Sequence, residues 1–342
     1  MNRTIEGETS VAGHVVPDEV LSAISAVCRP IVVTHVVPDA DALGSMFAMA
    51  LAWTSSDCHP RVSLPAGSLS QKLTFLHGMA KPSVATEQDF AEADGFIVVD
   101  TAKKGRCHVP SVLKERDWPA GRLLVNIDHH ETNTRFGMVN WVVDKASSAS
   151  ELVYYVLRAG DRAISPTVAS LLYAGIQTDT LGFSLPSTGA AAHHAAAELV
   201  RLGANVGELG ERLCRSQSKS EFDLLRVIYA NTNVLAGGRI AYSSASFEEI
   251  HAAGCTAADI DDQITVPRSL DGVVLAMLFT EGNRGKTRIN FRSSGMVTVV
   301  ELAAEFKGGG HAQAAGAVLD CGLREAIDRV MPRAVDHLKK FQ

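Results

Sequence analysis

Short apolar, β-branched runs alternate with amphipathic stretches through the first half of the chain, a pattern typical of β–α units around a parallel sheet. Three of these runs are predicted to be buried strands: 31–34, 96–99 and 123–127. Amphipathic stretches predict helices over 42–53 and 166–177, the second with Ser165 as its cap and Pro166 in its first turn. We therefore predict an α/β N-terminal domain whose parallel sheet carries helices on both faces.

The pattern changes after Pro186, where an Ala-rich run over 189–202 and a further stretch over 208–234 predict helices. Three more strands are predicted: 239–246, 273–280 and 286–292. The turn-rich segment 281–285 joins the last two as a hairpin. Two helices are predicted after them: 297–306 and 323–340. The chain thus divides into three predicted parts: a domain over 1–188, a helical connector over 189–235 and a smaller α/β domain with a mixed sheet over 236–342.

Composition narrows the class of protein. The chain has 342 residues, of which 46% are hydrophobic and 20% charged, as in globular proteins with enough apolar residues for two cores. Its 38 acidic and 32 basic residues give a formal charge of −6, which argues against a generally basic protein that coats nucleic acid. A small phosphorylated substrate remains compatible with this charge, because a bound metal ion can reverse the charge of a pocket.

Membrane and secretory classes are not favoured. The apolar run 273–279 is far shorter than the ~20 residues that cross a bilayer, and Glu6 and Glu8 interrupt the N-terminal segment. The six cysteines form no Cys-x-x-Cys pair, which indicates reduced, scattered thiols. We expect a cytoplasmic protein with no membrane partner.

Polar side chains gather where the three predicted N-terminal strands end. They are His35, Asp39 and Asp41 after the first strand, Asp100 after the second, and Asp128, His129 and His130 after the third. Because the carboxyl ends of parallel strands lie along one edge of a sheet, these distant segments should meet there. An isolated Asp after a strand is usually a turn or cap residue, but three such clusters together favour one shared site.

The chemistry of this set indicates metal binding. Several carboxylates crowd together only if protons or cations neutralise them. Carboxylate and imidazole ligands without thiolate suit Mn²⁺, Mg²⁺, Fe²⁺ or Zn²⁺, and their number suggests two ions that share a carboxylate. Two divalent ions ~3.5–4 Å apart can activate a hydroxide and stabilise an in-line phosphoryl displacement. The remaining histidines have no comparable setting, and we interpret them as surface or packing residues.

These residues resemble the four motifs of the DHH phosphoesterase superfamily. In chain order the motifs are His35-Val-Val-Pro-Asp-Ala-Asp41, Asp100, Asp128-His129-His130 and Thr178-Asp179-Thr180. A later segment, Gly308-Gly-Gly-His311-Ala-Gln-Ala-Ala-Gly316, is similar to the signature of the DHH-associated C-terminal domain. In one departure, family members often carry glycine directly after the Thr-Asp-Thr motif, whereas here Leu181 precedes Gly182.

The resemblance implies a role for each matched residue. His35, Asp39 and Asp100 would hold a first Mn²⁺. The second Mn²⁺, for which Mg²⁺ or another divalent ion is an alternative, would be held by Asp41, Asp100, His129 and Asp179. Asp100 would therefore bridge the ions and act in catalysis. His130, the second histidine of its motif, would be catalytic and contact the scissile phosphate or the leaving group.

The length resembles the nanoRNase/pAp-phosphatase branch of the superfamily. This branch implies a Mn-dependent phosphoesterase that hydrolyses short oligoribonucleotides (nanoRNA) and 3′-phosphoadenosine 5′-phosphate (pAp). The expected binding partners are short RNA or DNA oligonucleotides and small phosphorylated nucleotides. A cyclic-dinucleotide or pApA phosphodiesterase is the main alternative because it could use the same groups. A RecJ-type single-strand exonuclease would need a longer chain, and a non-catalytic nucleotide sensor would be expected to have lost a ligand. A homodimer is compatible with the sequence.

The C-terminal domain carries candidate phosphate-binding residues. Period-two alternation over 286–292 places Arg288, Asn290 and Arg292 on one strand face, where arginines can grip phosphate, although a solvated sheet face would look the same. The resemblance extends this set to Ser294. A glycine run removes side chains that keep anions from the backbone, so Gly309, Gly310 and His311 are predicted to form a phosphate-binding loop. We expect this domain to face the metals across a cleft.

Overall fold

The computed structural model divides the chain into two units, Met1–Ser216 and Gln217–Gln342. The residues that it describes are 13–64, 69, 71–111, 118, 121–255 and 261–341. The boundary between the units falls inside the segment 189–235, which the sequence predicts as a connector. Each unit is built on its own β-sheet.

The first unit contains a five-stranded parallel sheet in the order β2-β1-β3-β4-β5. Its strands are β1 (Pro30–Val33), β2 (Arg61–Val62), β3 (Gly95–Val99), β4 (Leu123–Asp128) and β5 (Val139–Val142). Val32 packs into one core cluster, whereas Ile31 and Val33 pack into another on the opposite face of the sheet. Because both faces are buried, the strands are continuously apolar, which confirms the predicted parallel sheet.

Helices cover both faces of this sheet. In chain order they are α1 (Asp18–Ser25), α2 (Ala40–Trp53), α3 (Thr74–Ala80), α4 (Glu87–Glu92), α5 (Ala149–Ala159), α6 (Pro166–Asp179), α7 (Ala190–Arg201) and α8 (Val206–Gly210). Helix α2 is capped by Asp39, whose carboxylate accepts a 2.9 Å hydrogen bond from the backbone of Ala42. Helix α6 starts as the sequence predicts, with Ser165 as its cap and Pro166 in its first turn.

The second unit contains a six-stranded mixed sheet in the order β10-β11-β9-β8-β7-β6. Its strands are β6 (Asn233–Leu235), β7 (Ile240–Ala245), β8 (Leu275–Asn283), β9 (Lys286–Ser293), β10 (Gly309–His311) and β11 (Ala314–Leu319). Strands β7 and β8 are parallel and the other neighbours are antiparallel, which confirms the predicted mixed sheet. Ile289 and Phe291 of β9 enter the core, as their alternation predicts.

Among the residues that the structure describes, five helices accompany the second sheet. They are α9 (Lys219–Ala230), α10 (Phe247–Ala252), α11 (Thr265–Arg268), α12 (Val300–Ala304) and α13 (Leu323–Lys339). Among the described residues, none of the helices combines the length and the apolar content that crossing a bilayer requires.

The continuous helix predicted over 208–234 is wrong. A π-helical turn at Glu211–Arg215 follows α8, and a new helix, α9, begins after Ser218. Ser218 and Glu221 form a reciprocal capping box, which satisfies free backbone N–H groups and starts α9 at that point. The last predicted helical residues belong to the edge strand β6.

Candidate metal centre

The carboxyl edge of the first sheet brings together the side chains that the sequence singles out. His35 follows β1, Asp100 follows β3, and His129 follows β4 directly. Asp39 and Asp41 lie at the start of α2, which packs on the sheet. One face of this site is therefore supplied by strand ends and another by the first turn of a helix.

His35, Asp39 and Asp100 form one compact group. Each offers one ligand atom, and these atoms all lie within 4.8 Å of one another. His35 Nε2 is 3.5 Å from Asp100 Oδ2. The three residues are the set that the resemblance assigns to a first metal ion.

Asp41, His129 and Asp179 form a second compact group with the same 4.8 Å spacing. Asp179 is the last residue of α6, and its Oδ2 lies 3.3 Å from His129 Nε2. The same imidazole nitrogen lies 3.4 Å from Asp100 Oδ1. Asp100 therefore presents one carboxylate oxygen to each group, which is the arrangement that a bridging ligand needs.

The electrostatics of the two groups fit divalent cations. Burial, together with repulsion from Asp100, raises the pKa of Asp39 and raises that of Asp41 well above its ordinary value. Burial also raises the pKa of Asp179 to about 7. Burial and mutual repulsion thus disfavour the ionised forms of Asp39, Asp41 and Asp179, and a cation in each group would stabilise those ionised forms.

Two histidines favour the ionised form of the buried Asp100 carboxylate. Burial alone would raise the pKa of Asp100, but the imidazoles of His129 and His35 hold it well below its usual range. Burial opposes the charge on His129 too, yet its acidic neighbours raise its pKa to about 10. Asp100 Oδ1 and His35 Nδ1 are buried without a hydrogen-bond partner among the described residues. The donor set, with hard oxygens and imidazole nitrogens, therefore fits Mn²⁺ or a similar ion.

Asp41 is held by the beginning of α5, a contact between residues about 108 positions apart. Its Oδ2 accepts a 2.7 Å hydrogen bond from the N–H of Ala149, and its Oδ1 accepts one of 2.8 Å from the N–H of Ser150. Free N–H groups at a helix N-terminus stabilise a carboxylate and fix its orientation. This support was not predicted from the sequence, although Ser148 before the helical pattern is a recognisable cap.

Asp128 orients the exposed histidine of the site. It has no exposed surface, and its Oδ1 lies 2.8 Å from His130 Nδ1 while its Oδ2 accepts a 2.5 Å hydrogen bond from Asn133 Nδ2. The side chain of His130 is 42% exposed, against 16% for His129 and 13% for His35. Of these three imidazoles, His130 is the one placed to reach an incoming molecule. Asn133 was not predicted from the sequence.

Strained backbone surrounds the centre. Asp100 has φ 51°, in the left-handed region that a side chain with a Cβ disfavours. Leu181, Gly182 and Phe183 form a consecutive left-handed run after Asp179, with φ of 48°, 69° and 66°. The shifted glycine therefore leaves Leu181 in a conformation that glycine adopts at lower cost.

In the second unit, three of the predicted phosphate-binding residues, Arg288, Arg292 and His311, lie on one sheet face. His311, Ala314 and Arg292 are direct partners across β10, β11 and β9, so their side chains point the same way. Two strand spacings separate His311 from Arg292, roughly 10 Å. Ser294 is exposed just past β9, and Arg288 donates from Nε to Asn290 Oδ1 at 3.3 Å.

The predicted glycine loop is wrong in its conformation, because Gly309–His311 is the exposed edge strand β10. The glycines permit close strand approach there. A Cβ on Gly308 would collide with the carbonyl oxygen of Gly316, and one on Gly310 would lie 2.6 Å from Ala315 Cα. As expected, the glycines leave space because they lack side chains. The neighbouring antiparallel strand β11 occupies that space.

Two protein-family models match the chain. The model described as "DHH family, N-terminal domain" matches residues 29–176, and the model described as "DHHA1 domain" matches residues 237–341. The first range covers the strand ends that carry His35, Asp100 and His129. The second range covers the mixed sheet.

Curated relatives cover most of the chain. The probable bifunctional oligoribonuclease and PAP phosphatase NrnA of Streptococcus mutans is 29% identical over 300 residues, 87% of this chain and 92% of its own length. The bifunctional oligoribonuclease and PAP phosphatase NrnA of Bacillus subtilis is 28% identical over 303 residues, with the same two coverages. An exopolyphosphatase-related protein from Bacteroides fragilis shares the fold, with a TM-score of 0.84 at 24% identity over 96% of this chain and 99% of its own. Together with its NrnA relatives, this chain belongs to the DHH phosphoesterase superfamily and is a metal-dependent phosphoesterase.

Proposed function

We propose that this protein hydrolyses short oligoribonucleotides and 3′-phosphoadenosine 5′-phosphate with a dinuclear Mn²⁺ centre. The observation that carries the proposal is the position of Asp100, whose two carboxylate oxygens face two separate groups of ligands. The names of the NrnA relatives supply the substrate class. A bridging carboxylate with two ligand groups suits phosphoryl chemistry.

Each ion has a defined set of ligands in this proposal. His35, Asp39 and Asp100 would hold the first ion. Asp41, Asp100, His129 and Asp179 would hold the second. When bound, such ions lower the pKa of water and neutralise negative charge on phosphoryl oxygens. The backbone N–H groups at the start of α5 keep Asp41 in its ligating orientation.

His130 acts on the substrate side of the centre. The hydrogen bond to Asp128 raises the pKa of His130 and fixes its Nδ1 toward that carboxylate. Its Nε2 is then the atom that donates to a phosphoryl oxygen of the substrate. A positioned donor at the place where negative charge develops stabilises the transition state more than the ground state.

The second unit supplies phosphate recognition. Arg292 and His311 lie on one face of the mixed sheet, with the small side chain of Ala314 between them. A guanidinium makes bidentate, charge-assisted hydrogen bonds with phosphate oxygens. We assign these groups to the terminal phosphate of the nucleotide substrate, which favours substrates that carry such a phosphate.

A substrate panel tests the proposal. The protein, loaded with Mn²⁺, is given 5′-phosphorylated RNA of two, three, five and ten nucleotides, pAp, and cyclic di-AMP. We expect the dinucleotide to pentanucleotide and pAp to be hydrolysed with higher kcat/KM than the decamer and cyclic di-AMP. Preference for cyclic di-AMP would favour the cyclic-dinucleotide alternative, and no turnover of any substrate would contradict the proposal. Asp100→Asn, which keeps the side-chain shape, controls for contaminating nucleases.

A further inference from the structure

Three exposed basic residues lie beside the metal centre in the first unit. We call Lys103, Arg106 and Arg135 the basic rim. Lys103 and Arg106 lie in the segment after Asp100, where the N–H of Arg106 donates to the carbonyl of Lys103 at 2.9 Å and closes a tight turn. Arg135 lies in the loop between β4 and β5.

Backbone hydrogen bonds attach the basic rim to the loops that carry the ligands. The carbonyl of Arg106 accepts a 3.0 Å hydrogen bond from the N–H of Val36, the residue after His35. On the other side, the N–H of Thr134 donates to the carbonyl of Ala102 at 2.9 Å, which places Arg135 near Lys103. The rim is therefore fixed in position relative to the metal centre.

The conformation of Arg135 is also fixed. Its φ is 50°, in the left-handed region, and its N–H donates to Asn133 Oδ1 at 2.6 Å. Asn133 in turn donates to Asp128, which orients His130. A strained arginine that is anchored to the network of a catalytic histidine indicates a functional position better than an ordinary surface arginine does.

The charge of the rim contrasts with the rest of the chain. The formal net charge is −6, yet three exposed cations lie in the two segments that follow β3 and β4, with Glu131 as an exposed acid in the same loop as Arg135. Within the part of the chain that the structure describes, none of the three rim side chains makes an ion pair or a side-chain hydrogen bond. Their charge is thus available to an anionic ligand.

We infer that the basic rim binds the phosphodiester backbone of a single-stranded oligonucleotide beyond its first two nucleotides. This inference rests on the proposed function and adds a subsite within the first unit for the longer substrates. Three cations that follow a backbone recognise phosphates without reading bases. The rim would therefore contribute more to binding as the substrate grows from two nucleotides to four or five.

The experiment compares substrate lengths in a triple variant, Lys103→Gln, Arg106→Gln and Arg135→Gln. KM and kcat are measured with a 5′-phosphorylated dinucleotide and a 5′-phosphorylated pentanucleotide at several salt concentrations. We expect the ratio of the pentanucleotide KM to the dinucleotide KM to rise at least about tenfold. We also expect a change in the slope of log(kcat/KM) for the pentanucleotide plotted against the logarithm of the salt concentration. The magnitude of this slope should fall by up to about 2, since each phosphate contact on single strands contributes about 0.7.

A matched triple variant controls for net charge. Arg29→Gln, Arg158→Gln and Arg201→Gln remove the same charge from exposed positions that carry no metal ligand. The KM ratio of this control should stay within about twofold of wild type, a difference below the energy of one hydrogen bond. Equal effects of the two triple variants, or an unchanged ratio in the rim variant, would overturn the rim inference alone. Failure of the wild type to hydrolyse either RNA would overturn the proposed function as well.

Discussion

Nδ1 of His130 lies 2.8 Å from Oδ1 of Asp128, a carboxylate with no exposed surface. Asn133 and the N–H of His129 donate to the same carboxylate, at 2.5 and 2.9 Å. Asp128 is thus held in place from three directions. Its effect on the centre is to fix which nitrogen of His130 faces outward.

Asp128→Asn should lower kcat while the bound metal content remains that of the wild type. The substitution weakens the hydrogen bond that orients His130, and losing such a partner typically costs about 10–100-fold in activity. Metal content by elemental analysis and kcat with a dinucleotide substrate are the two measurements. The double variant with His130→Ala should be no slower than His130→Ala alone. Loss of metal in Asp128→Asn would instead make Asp128 a ligand.

Gly175→Ala should weaken metal binding and destabilise the fold. A Cβ at this position of α6 would collide with Ser150 Oγ and lie 2.5 Å from Asp41 Oδ1. Overpacking of a filled core costs typically about 1–3 kcal/mol, and here the displaced atom belongs to a proposed ligand. Chemical denaturation and Mn²⁺ titration measure the two effects.

Gly78→Ala is the matched control, because Gly78 lies inside α3 and an added Cβ meets nothing within 4 Å. It should raise the unfolding free energy by about 0.5–1 kcal/mol and leave Mn²⁺ affinity at the wild-type value. If Gly175→Ala had the same effects as Gly78→Ala on stability and Mn²⁺ affinity, the close approach of α6 to Asp41 would not contribute to metal binding.

Glu151→Gln should remove stability that depends on pH. Burial alone would raise the pKa of Glu151, but hydrogen bonds from His14 and Ser147 lower it below its ordinary value. Because the folded pKa is depressed, Glu151 stabilises the fold fully above the unfolded pKa of about 4.3, and this stabilisation is lost as pH falls through the folded pKa.

The stability difference between wild type and Glu151→Gln should therefore be about 1.5–3 kcal/mol at pH 7 and shrink below about pH 4.5. Urea denaturation at pH 7 and pH 4 measures it. Glu198→Gln is the comparison, since Glu198 pairs with Arg201 on the surface, where ion pairs contribute little. A pH-independent difference for Glu151→Gln would contradict the role assigned to its carboxylate.

The positions of the site residues that directly follow parallel strands could be predicted from the sequence. Ile31, Val32 and Val33 are apolar because both sheet faces are buried, and parallel strands align their carboxyl ends, so His35 and His129 had to lie along one edge. Asp100 could be placed for the same reason. Period-two alternation likewise placed Ile289 in the core of the second unit.

The sequence did not predict what depends on contacts between distant segments. The hydrogen bonds from Ala149 and Ser150 to Asp41 exist only after α2 and α5 pack together. Gly310 allows either a phosphate-binding loop or a tight strand pair, and the neighbouring Ala315 decides between them. Local pattern determines the elements, whereas tertiary packing determines which atoms support the ligands.

Leu181→Gly should be more stable than Leu181→Ala by about 1 kcal/mol. Leu181 has φ 48° and a side chain that is 56% exposed, so the backbone strain rather than lost packing should dominate the difference. Alanine keeps the Cβ that the left-handed conformation disfavours, while glycine does not. Denaturation midpoints of the two variants measure the difference, and a more stable alanine variant would contradict the strained conformation.

The most direct test of the account is the number of Mn²⁺ ions that the metal-free protein binds, with and without the shared carboxylate. Calorimetric titration, checked by elemental analysis, gives this number for the wild type and for Asp100→Ala. We predict two ions per chain for the wild type, and loss of both sites or a large loss of affinity at both in the variant, with the fold retained by circular dichroism. One ion or none in the active wild type, or two tightly bound ions in Asp100→Ala, would contradict a centre built on Asp100.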